Sequence, residues 1–282
     1  MAAQALPNSK NTLIISLVQR ELEASMKVLP YLTDLSAFAS KGAKTVSVPR
    51  LSSYTAANRS FGAAFSEATL TDAVDAIAID QNTGVLWVED KADEIQSSID
   101  FRMAAAKRAA GAVGRFASSA IYTGLSAGAG TNINGGSPAD VTKANMLDLR
   151  EYVLCNEGNI DDMAYLVSCD QESVLLNIAD FIRSDSYGAQ STALESGVIG
   201  KLYGVPVVID NNIGSQQVFC IDKAGYAYAA QRSMNMQAED DIQYGSSAQK
   251  VVCDFLWGHG TLQTAEKSAG AGNSPLVAAL RD

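Results

Sequence analysis

Residues 91–122 read KADEIQSSIDFRMAAAKRAAGAVGRFASSAIY, and this stretch decides the fold. Ile95, Ile99, Met103, Ala106, Ala110, Val113, Ala117 and Ala120 recur every three or four positions, the spacing of one continuous buried stripe on a helix. No proline interrupts it, Asp90 or Asp93 can cap its start, and Gly124 can stop it. At 1.5 Å per residue the predicted helix is roughly 48 Å long. A compact chain of 282 residues is itself roughly 50 Å across. The helix would cross the whole subunit, which suits a flat plate stabilised by its neighbours better than a sphere with a pocket. Gly111 and Gly114, set among Ala104, Ala105, Ala109, Ala112, Ser118 and Ser119, each cost such a helix about 1 kcal/mol relative to alanine. Their presence predicts that another backbone lies close to them.

The rest of the composition is that of an ordinary folded chain: 47% hydrophobic, 7% aromatic and 18% charged, enough for a sizeable core and one or two subdomains. The apolar run Leu13 to Val18 is broken by Ser16 and followed by Gln19-Arg20-Glu21, well short of the roughly 18 residues of a membrane span. No cationic segment precedes a small-residue cleavage site, so the chain is expected to be soluble and made in a cytoplasm. Cys155, Cys169, Cys220 and Cys253 are far apart, flanked by apolar residues, and accompanied by one histidine, His259. That pattern predicts buried reduced thiols and no zinc or other metal site. A net charge of -10 excludes tight wrapping of nucleic acid, which needs a basic face, though not enclosure of it.

Working outward from the helix, Met1 to Ser9 reads as an arm and Asn11 to Leu29 as a helical pattern ending at Pro30, suited to docking. Lys44 to Pro49 alternates as a strand, and Leu51 to Thr69 is then polar and small, too long for an ordinary loop. Val74–Ile79 and Val85–Val88 read as two strands joined at Asn82-Thr83-Gly84, a hairpin signal. The polar segment is thus a long excursion from a sheet, either hairpin-like or draped on something outside the subunit. Beyond the long helix, Leu125 to Pro138 reads as a Gly/Ser/Asn-rich loop and a boundary. Helix Lys143–Glu157, strand Ala164–Ser168, helix Gln171–Ile182 and strand Val205–Ile209 follow, implying a mixed sheet with helices packed on it. Strands Val218–Ile221, Tyr226–Ala230 and Val251–Leu256 then return the chain to its first region.

Motifs that carry chemistry are few. Gly124-Leu125-Ser126-Ala127-Gly128 matches G-x-S-x-G with His259 downstream, the order of a serine hydrolase, but the elbow needs a strand before the serine and a helix after it. Here a helix precedes and a loop follows. Ser247 and Lys250 match S-x-x-K without its companion motifs. Gly197, Gly200 and Gly204 lack the partners of a phosphate loop and read as turn and packing positions. The acid clusters Asp161-Asp162 and Glu239-Asp240-Asp241 lack calcium-loop spacing. The residues therefore call for no catalytic group, cofactor or metal.

The ordered combination is more telling than any one motif. An N-terminal arm, a strand ending in Val48-Pro49-Arg50, a long polar loop, two strands, the exit Trp87-Val-Glu-Asp-Lys-Ala-Asp93, an Ala-rich spine helix and an α/β subdomain resemble a tailed-phage major capsid protein of the HK97-like fold. Residues 164–176 (AYLVSCDQESVLL) and 197–213 (GVIGKLYGVPVVIDNNI) resemble the strand, helix and glycine-proline segment of that family's axial domain. The resemblance implies an α+β fold: an N-terminal arm (1–43), strands with an extended loop (44–90, the loop about 51–73), a peripheral domain with the spine helix (91–140), an axial domain (141–225), and return strands of the peripheral domain with a C-terminal tail (226–282). It further implies a structural protein, not an enzyme. Self-assembly into pentamers and hexamers of an icosahedral shell around double-stranded DNA would follow, with separate scaffolding and portal proteins, room for a decoration protein, and no membrane. Its place would be the virion, assembled in a bacterial cytoplasm. Arg59, Phe61, Phe65 and Glu67 on the loop become candidates for contact with a neighbouring subunit; the alternative is that they fold back on their own sheet. Some members weld subunits through a lysine on this loop, and no lysine occurs between Arg50 and Lys91. An encapsulin-like compartment of the same fold and a hydrolase using Ser126 are the other readings.

Overall fold

In the computed structural model the described residues are 18, 20–22, 25–40, 42–51, 58–59, 61–62, 72–90, 101–134, 141–178, 182–183, 198–240, 248–263 and 273–281. Residues 1–17 of the expected arm, residues 91–100 with Asp93, Ile95 and Ile99, and the positions Phe65, Glu67, Gly197, Asp241 and Ser247 lie outside them.

Thirteen strands and three helices follow in chain order among the described residues: β1 (Thr33–Asp34), β2 (Thr45–Leu51), β3 (Asp72–Ala78), β4 (Gln81–Asp90), α1 (Phe101–Gly128), β5 (Ala129–Asn134), α2 (Lys143–Cys155), β6 (Met163–Ser168), α3 (Glu172–Leu176), β7 (Ile182–Arg183), β8 (Val198–Leu202), β9 (Val205–Asp210), β10 (Val218–Asp222), β11 (Tyr226–Asp240), β12 (Ala248–Thr261) and β13 (Ser274–Arg281). They form a four-stranded sheet β1-β11-β12-β4, a seven-stranded sheet β5-β13-β10-β6-β9-β8-β7, and the two-stranded pair β2-β3. The four-stranded sheet is built on the long antiparallel ribbon β11–β12, flanked by β4 antiparallel to β12. The seven-stranded sheet is mixed, with β6 parallel to β9 and β10 antiparallel to β6 and β13.

Over residues 101–122 the expected spine helix is present. Ala106, Ala110, Val113, Ala117, Ile121 and Leu125 are buried on one stripe of α1, in one core cluster with Phe255 and Trp257 of the four-stranded sheet and Phe219, Val277 and Ala279 of the seven-stranded one. Its described part spans 28 residues, roughly 42 Å. Val18, Leu22 and Met26 are buried in the same cluster, and Val18, Arg20–Leu22 and Ser25 are helical. This segment explains Gly114: a Cβ there would overlap Ser25 Oγ and sit 3.3 Å from the Leu22 carbonyl oxygen. Gly111 has no such neighbour, since a Cβ would meet only the end of the Arg115 side chain at 3.4 Å. The close approach predicted for both glycines holds for one.

A second cluster joins α2 to the seven-stranded sheet through Met146, Leu149, Val153, Tyr165, Val167, Val207 and Val218. Thr142 caps α2 by accepting from the Asn145 amide. A third joins Val46, Ile77 and Ile79 to Ala227 and Ala229, so β2 and β3 cover part of the ribbon's other face.

Six expectations change. The spine helix runs through Gly124 to Gly128, because Leu125 prolongs the buried stripe and Gly124 is a contact point inside the helix, described below. The expected loop 125–138 therefore begins as helix and continues as β5, which pairs parallel with β13. Asn82-Thr83-Gly84 is no turn. It lies inside β4, which pairs with β12 while β3 pairs with β2, and Gly84 is needed because a Cβ would fall 2.7 Å from the Cys253 carbonyl oxygen. The helix expected over 171–182 is only α3, and Ile182 begins β7. Of the cysteines, Cys220 and Cys253 are buried as expected, but Cys155 and Cys169 are exposed, at the end of α2 and in the turn after β6. Residues 274–281, in the expected C-terminal tail, are a strand, β13, inserted in the seven-stranded sheet between β5 and β10, with all but its last residue buried.

The two glycines give a matched test. Gly114→Val should destabilise the full chain by about 1–3 kcal/mol through overpacking against residues 22–25, whereas Gly111→Ala should stabilise it by up to about 1 kcal/mol. Denaturant unfolding midpoints of the two variants check this, and equal shifts of the same sign would remove the docked segment from the account.

Candidate assembly surface

The excursion leaves the subunit on a stalk. β2 and β3 pair antiparallel along their whole length, from Thr45 opposite Ala78 to Leu51 opposite Asp72, so the chain departs and returns at adjacent positions. Arg50 fixes the base: its Nη1 donates to Gln263 Oε1 at 2.7 Å, its Nη2 lies 3.8 Å from Asp75 Oδ1, and Asp75 Oδ2 accepts the Gln263 amide at 2.9 Å. Beyond the stalk Arg59 is exposed, and Phe61, at 110% relative exposure beside Gly62 with φ +86°, touches nothing that would shield it. Phe61 thus does not fold back on the subunit's own sheets. Phe65 and Glu67 are outside the described residues, so the four candidates are not brought together as a set.

A second surface was not foreseen. On the four-stranded sheet Val85 and Trp87 of β4 and Cys253 of β12 face the spine helix, while the alternating Leu86, Val88 and Val252 face outward and remain 38–59% exposed. Leu86 stands directly opposite Val252 in the register, so these side chains form one apolar strip. The signal was present in residues 85–88, Val-Leu-Trp-Val, an unbroken apolar run of the kind found in strands covered on both faces. Phe38 and Val74 are exposed as well, and so is Phe116 on α1, which lines a groove of about 450 Å³ with Ala112, Gln81, Asn82 and Val85.

The catalytic leads do not assemble. Ser126 lies inside α1, is 9% exposed, and its Oγ accepts from Arg281 Nη1 at 2.8 Å. A helix precedes it and strand β5 follows, the reverse of a nucleophile elbow. His259 is bonded through Nδ1 to the Tyr226 hydroxyl at 2.6 Å and is not among the residues lining the cleft of about 340 Å³ at Ser126. That cleft holds hydroxyls, the amides of Asn212 and Gln217, and Arg281. Its Tyr122 phenol, which donates a hydrogen bond of 2.8 Å to Asp210 Oδ2, is pushed well above the usual range by burial and by that carboxylate. Gly204 is a turn residue, as expected: Tyr203 and Gly204, both at positive φ, form the two-residue turn between Leu202 and Val205. Asp162 accepts a hydrogen bond from Asn159 in a short helical turn, and no metal-sized cluster of His, Cys, Asp or Glu occurs among the described residues. A fluorophosphonate probe should leave Ser126 unlabelled, as read by intact mass and peptide mapping; stoichiometric labelling at Ser126 would restore the hydrolase.

No family model and no curated protein matches the chain. Solved structures do. A structure from Mycobacterium phage Che8 matches with a TM-score of 0.67 at 20% identity, over 89% of this chain and 89% of that one. The capsid asymmetric unit of cyanophage Pam1 matches with a TM-score of 0.67 at 12% identity, over 90% and 91%. A virus-like particle from Pyrococcus furiosus matches with a TM-score of 0.63 at 10% identity, over 96% and 99%. Likeness at these identities establishes architecture over nearly the whole length, and that architecture is the α+β HK97-like capsid fold that the sequence resembles.

Proposed function

We propose that the chain is the major subunit of the icosahedral head of a tailed bacteriophage, assembling into pentamers and hexamers that enclose double-stranded DNA. The observation that carries this reading is the near full-length match to phage capsid structures, among them the Pam1 capsid unit. Several features of the chain support it. The spine helix and the ribbon packed on it share one buried core. A stalk anchored by Arg50 and Asp75 carries Arg59 and Phe61 away from that body. Phe61 with Arg59, Phe65 and Glu67 then reaches a neighbouring subunit. Burying such a phenylalanine contributes about 1.5–3 kcal/mol, repeated at every copy. No lysine lies between Arg50 and Lys91, so the shell is held by non-covalent contact. The net charge of -10 gives a wall that does not grip DNA, which can then be packed and released. Peripheral and axial domains correspond to the spine with the four-stranded sheet and to the seven-stranded sheet. Scaffolding and portal proteins are separate chains, a decoration protein has room on the outer face, and assembly takes place in the host cytoplasm. No catalysis is required of the subunit.

A second reading, an encapsulin-like shell with a cargo other than DNA, is favoured by one observation, the 96% and 99% coverage shared with the Pyrococcus furiosus particle.

Electron microscopy and light scattering on the purified chain, alone and coexpressed with phage head proteins, should show closed shells or five- and six-membered rings. A monomer under every condition would overturn both shell readings, and the nucleic-acid content of closed shells separates them. Phe61→Ser should lower the yield of assembled particles at least tenfold, since several kcal/mol are lost over the copies of a ring. It should leave the unfolding midpoint of the unassembled chain unchanged, because the side chain is fully exposed there.

A further inference from the structure

The only histidine of the chain sits in the seam between the spine helix and the strands that pack on it. His259 on β12 is half-buried and stacks between Trp257, at a ring separation of 5.1 Å, and Tyr226, at 5.9 Å. The fully buried Tyr226 on β11 bonds to His259 Nδ1 at 2.6 Å. Both press on α1 at Gly124, where a Cβ would overlap the Tyr226 hydroxyl and come within 2.8 Å of the His259 ring. Gly124, near the end of a long helix, is therefore the notch into which the pair fits. Its cost to the helix is explained by the contact it allows.

We propose that the Tyr226–His259 pair is a proton-sensitive latch: closed at neutral pH, it fixes β11 and β12 to the spine helix, and protonation of His259 loosens that seam. Burial raises the Tyr226 phenol above its usual range, so the hydroxyl keeps its proton at every relevant pH, and it donates to Nδ1 when the neutral ring carries its own proton on Nε2. A proton on Nδ1 turns that acceptor into a donor. The two groups then present hydrogens to each other, the tyrosine must reverse, and its own proton faces Gly124, which has no side chain to accept it. The new charge meets little compensation. From α1 no charged side chain follows Arg115; from the start of β4 come Gln81, Asn82 and Thr83; from β11, Tyr226 and Tyr228. Among the described residues Asp80, in the turn before β4, is the charge that favours the imidazolium. The Trp257 face adds a cation–π contact on the same side of the balance. Burial outweighs Asp80, and the His259 pKa lies below its ordinary value.

The sign follows. A native pKa below that of the opened, solvated ring means that the open form takes up the proton first. The latch is at full strength above about pH 6.5, the value of a solvated histidine, and weakens as pH falls through it toward the native pKa.

Hydrogen exchange on the full chain in its assembled form, at about pH 7.5 and about pH 5.5 and corrected for the intrinsic chemical rate, reads this locally. Residues 119–126 and 255–261 should exchange several-fold faster at the lower pH, while β6 and β9 do not change. His259→Asn, which keeps an acceptor without titrating, should abolish the difference. Tyr226→Phe, which removes the donor that favours the neutral ring, should move the transition to higher pH. No acceleration in the natural chain, the same acceleration in His259→Asn, or an unmoved transition in Tyr226→Phe would overturn the latch.

Discussion

Close approach to one helix of small side chains is the constraint on which the rest of this structure depends. Three bodies meet α1: the segment carrying Leu22 and Ser25 at Gly114, the aromatic face of the β11–β12 ribbon, and one face of the seven-stranded sheet. None would come near a helix studded with leucines. Because the alanines bring little side-chain volume, the partners supply it. Phe255, Trp257 and His259 alternate along β12 and share one face, with Tyr226 and Tyr228 beside them on β11. Their rings lie 5.1 to 6.5 Å apart in a continuous stack. Rings have few rotamers, so such a face is stiff as well as apolar.

The same helix ties the two sheets together by a polar contact. Tyr122 donates to Asp210 Oδ2 at 2.8 Å at the end of β9, and Asp210 Oδ1 accepts from both the Asn212 amide and Asn212 Nδ2. Asp210 is 1% exposed, so each of these donors matters: a buried carboxylate left short of partners costs more than any of its bonds contributes. Lys27 adds a bond from its ammonium to the Ile209 carbonyl at 3.1 Å. The seven-stranded sheet is therefore held to the spine by polar contacts at Asp210 and at Arg281, which donates to Ser126, and by apolar packing elsewhere. Motion between the sheets has to break both.

How much of this was legible depends on whether the signal was local. The spine stripe, β6, β9 and β10 are written in periodicity or in apolar runs, and the structure has them. The end of the spine was misplaced because glycine reads as a stop. What decides Gly124 is the Tyr226–His259 pair, more than a hundred residues away. β5, Ala-Gly-Thr-Asn-Ile-Asn, has the composition of a loop and is a strand only because β13 lies parallel beside it. β13 in turn looks like a tail until its neighbours are known. The stalk and exposure of Phe61 were readable from a polar excursion carrying aromatic residues. The strip Leu86–Val252–Val88 was readable only in hindsight, because covering both faces of a strand needs a partner that one chain does not contain.

Charge sets the terms on which such surfaces can work. Copies carrying -10 each repel as they approach, and at physiological ionic strength the repulsion is screened only beyond about 8 Å. Attraction between copies of the proposed subunit must therefore come from groups that act at contact. The ion pair Arg232–Asp254 on the ribbon, at 3.0 Å, is satisfied within the subunit and half-exposed, so it offers a neighbour little. Among the described residues, outward apolar side chains can supply that attraction: Phe61 beyond the stalk, Leu86, Val88 and Val252 on the open face of the sheet, and the exposed Phe38, Val74 and Phe116. Apolar contact is non-directional, which would let the same patch accept slightly different neighbours in the proposed five-fold and six-fold rings. A subunit built this way does not need a different bond for each position, only a small change of angle at the end of a stalk.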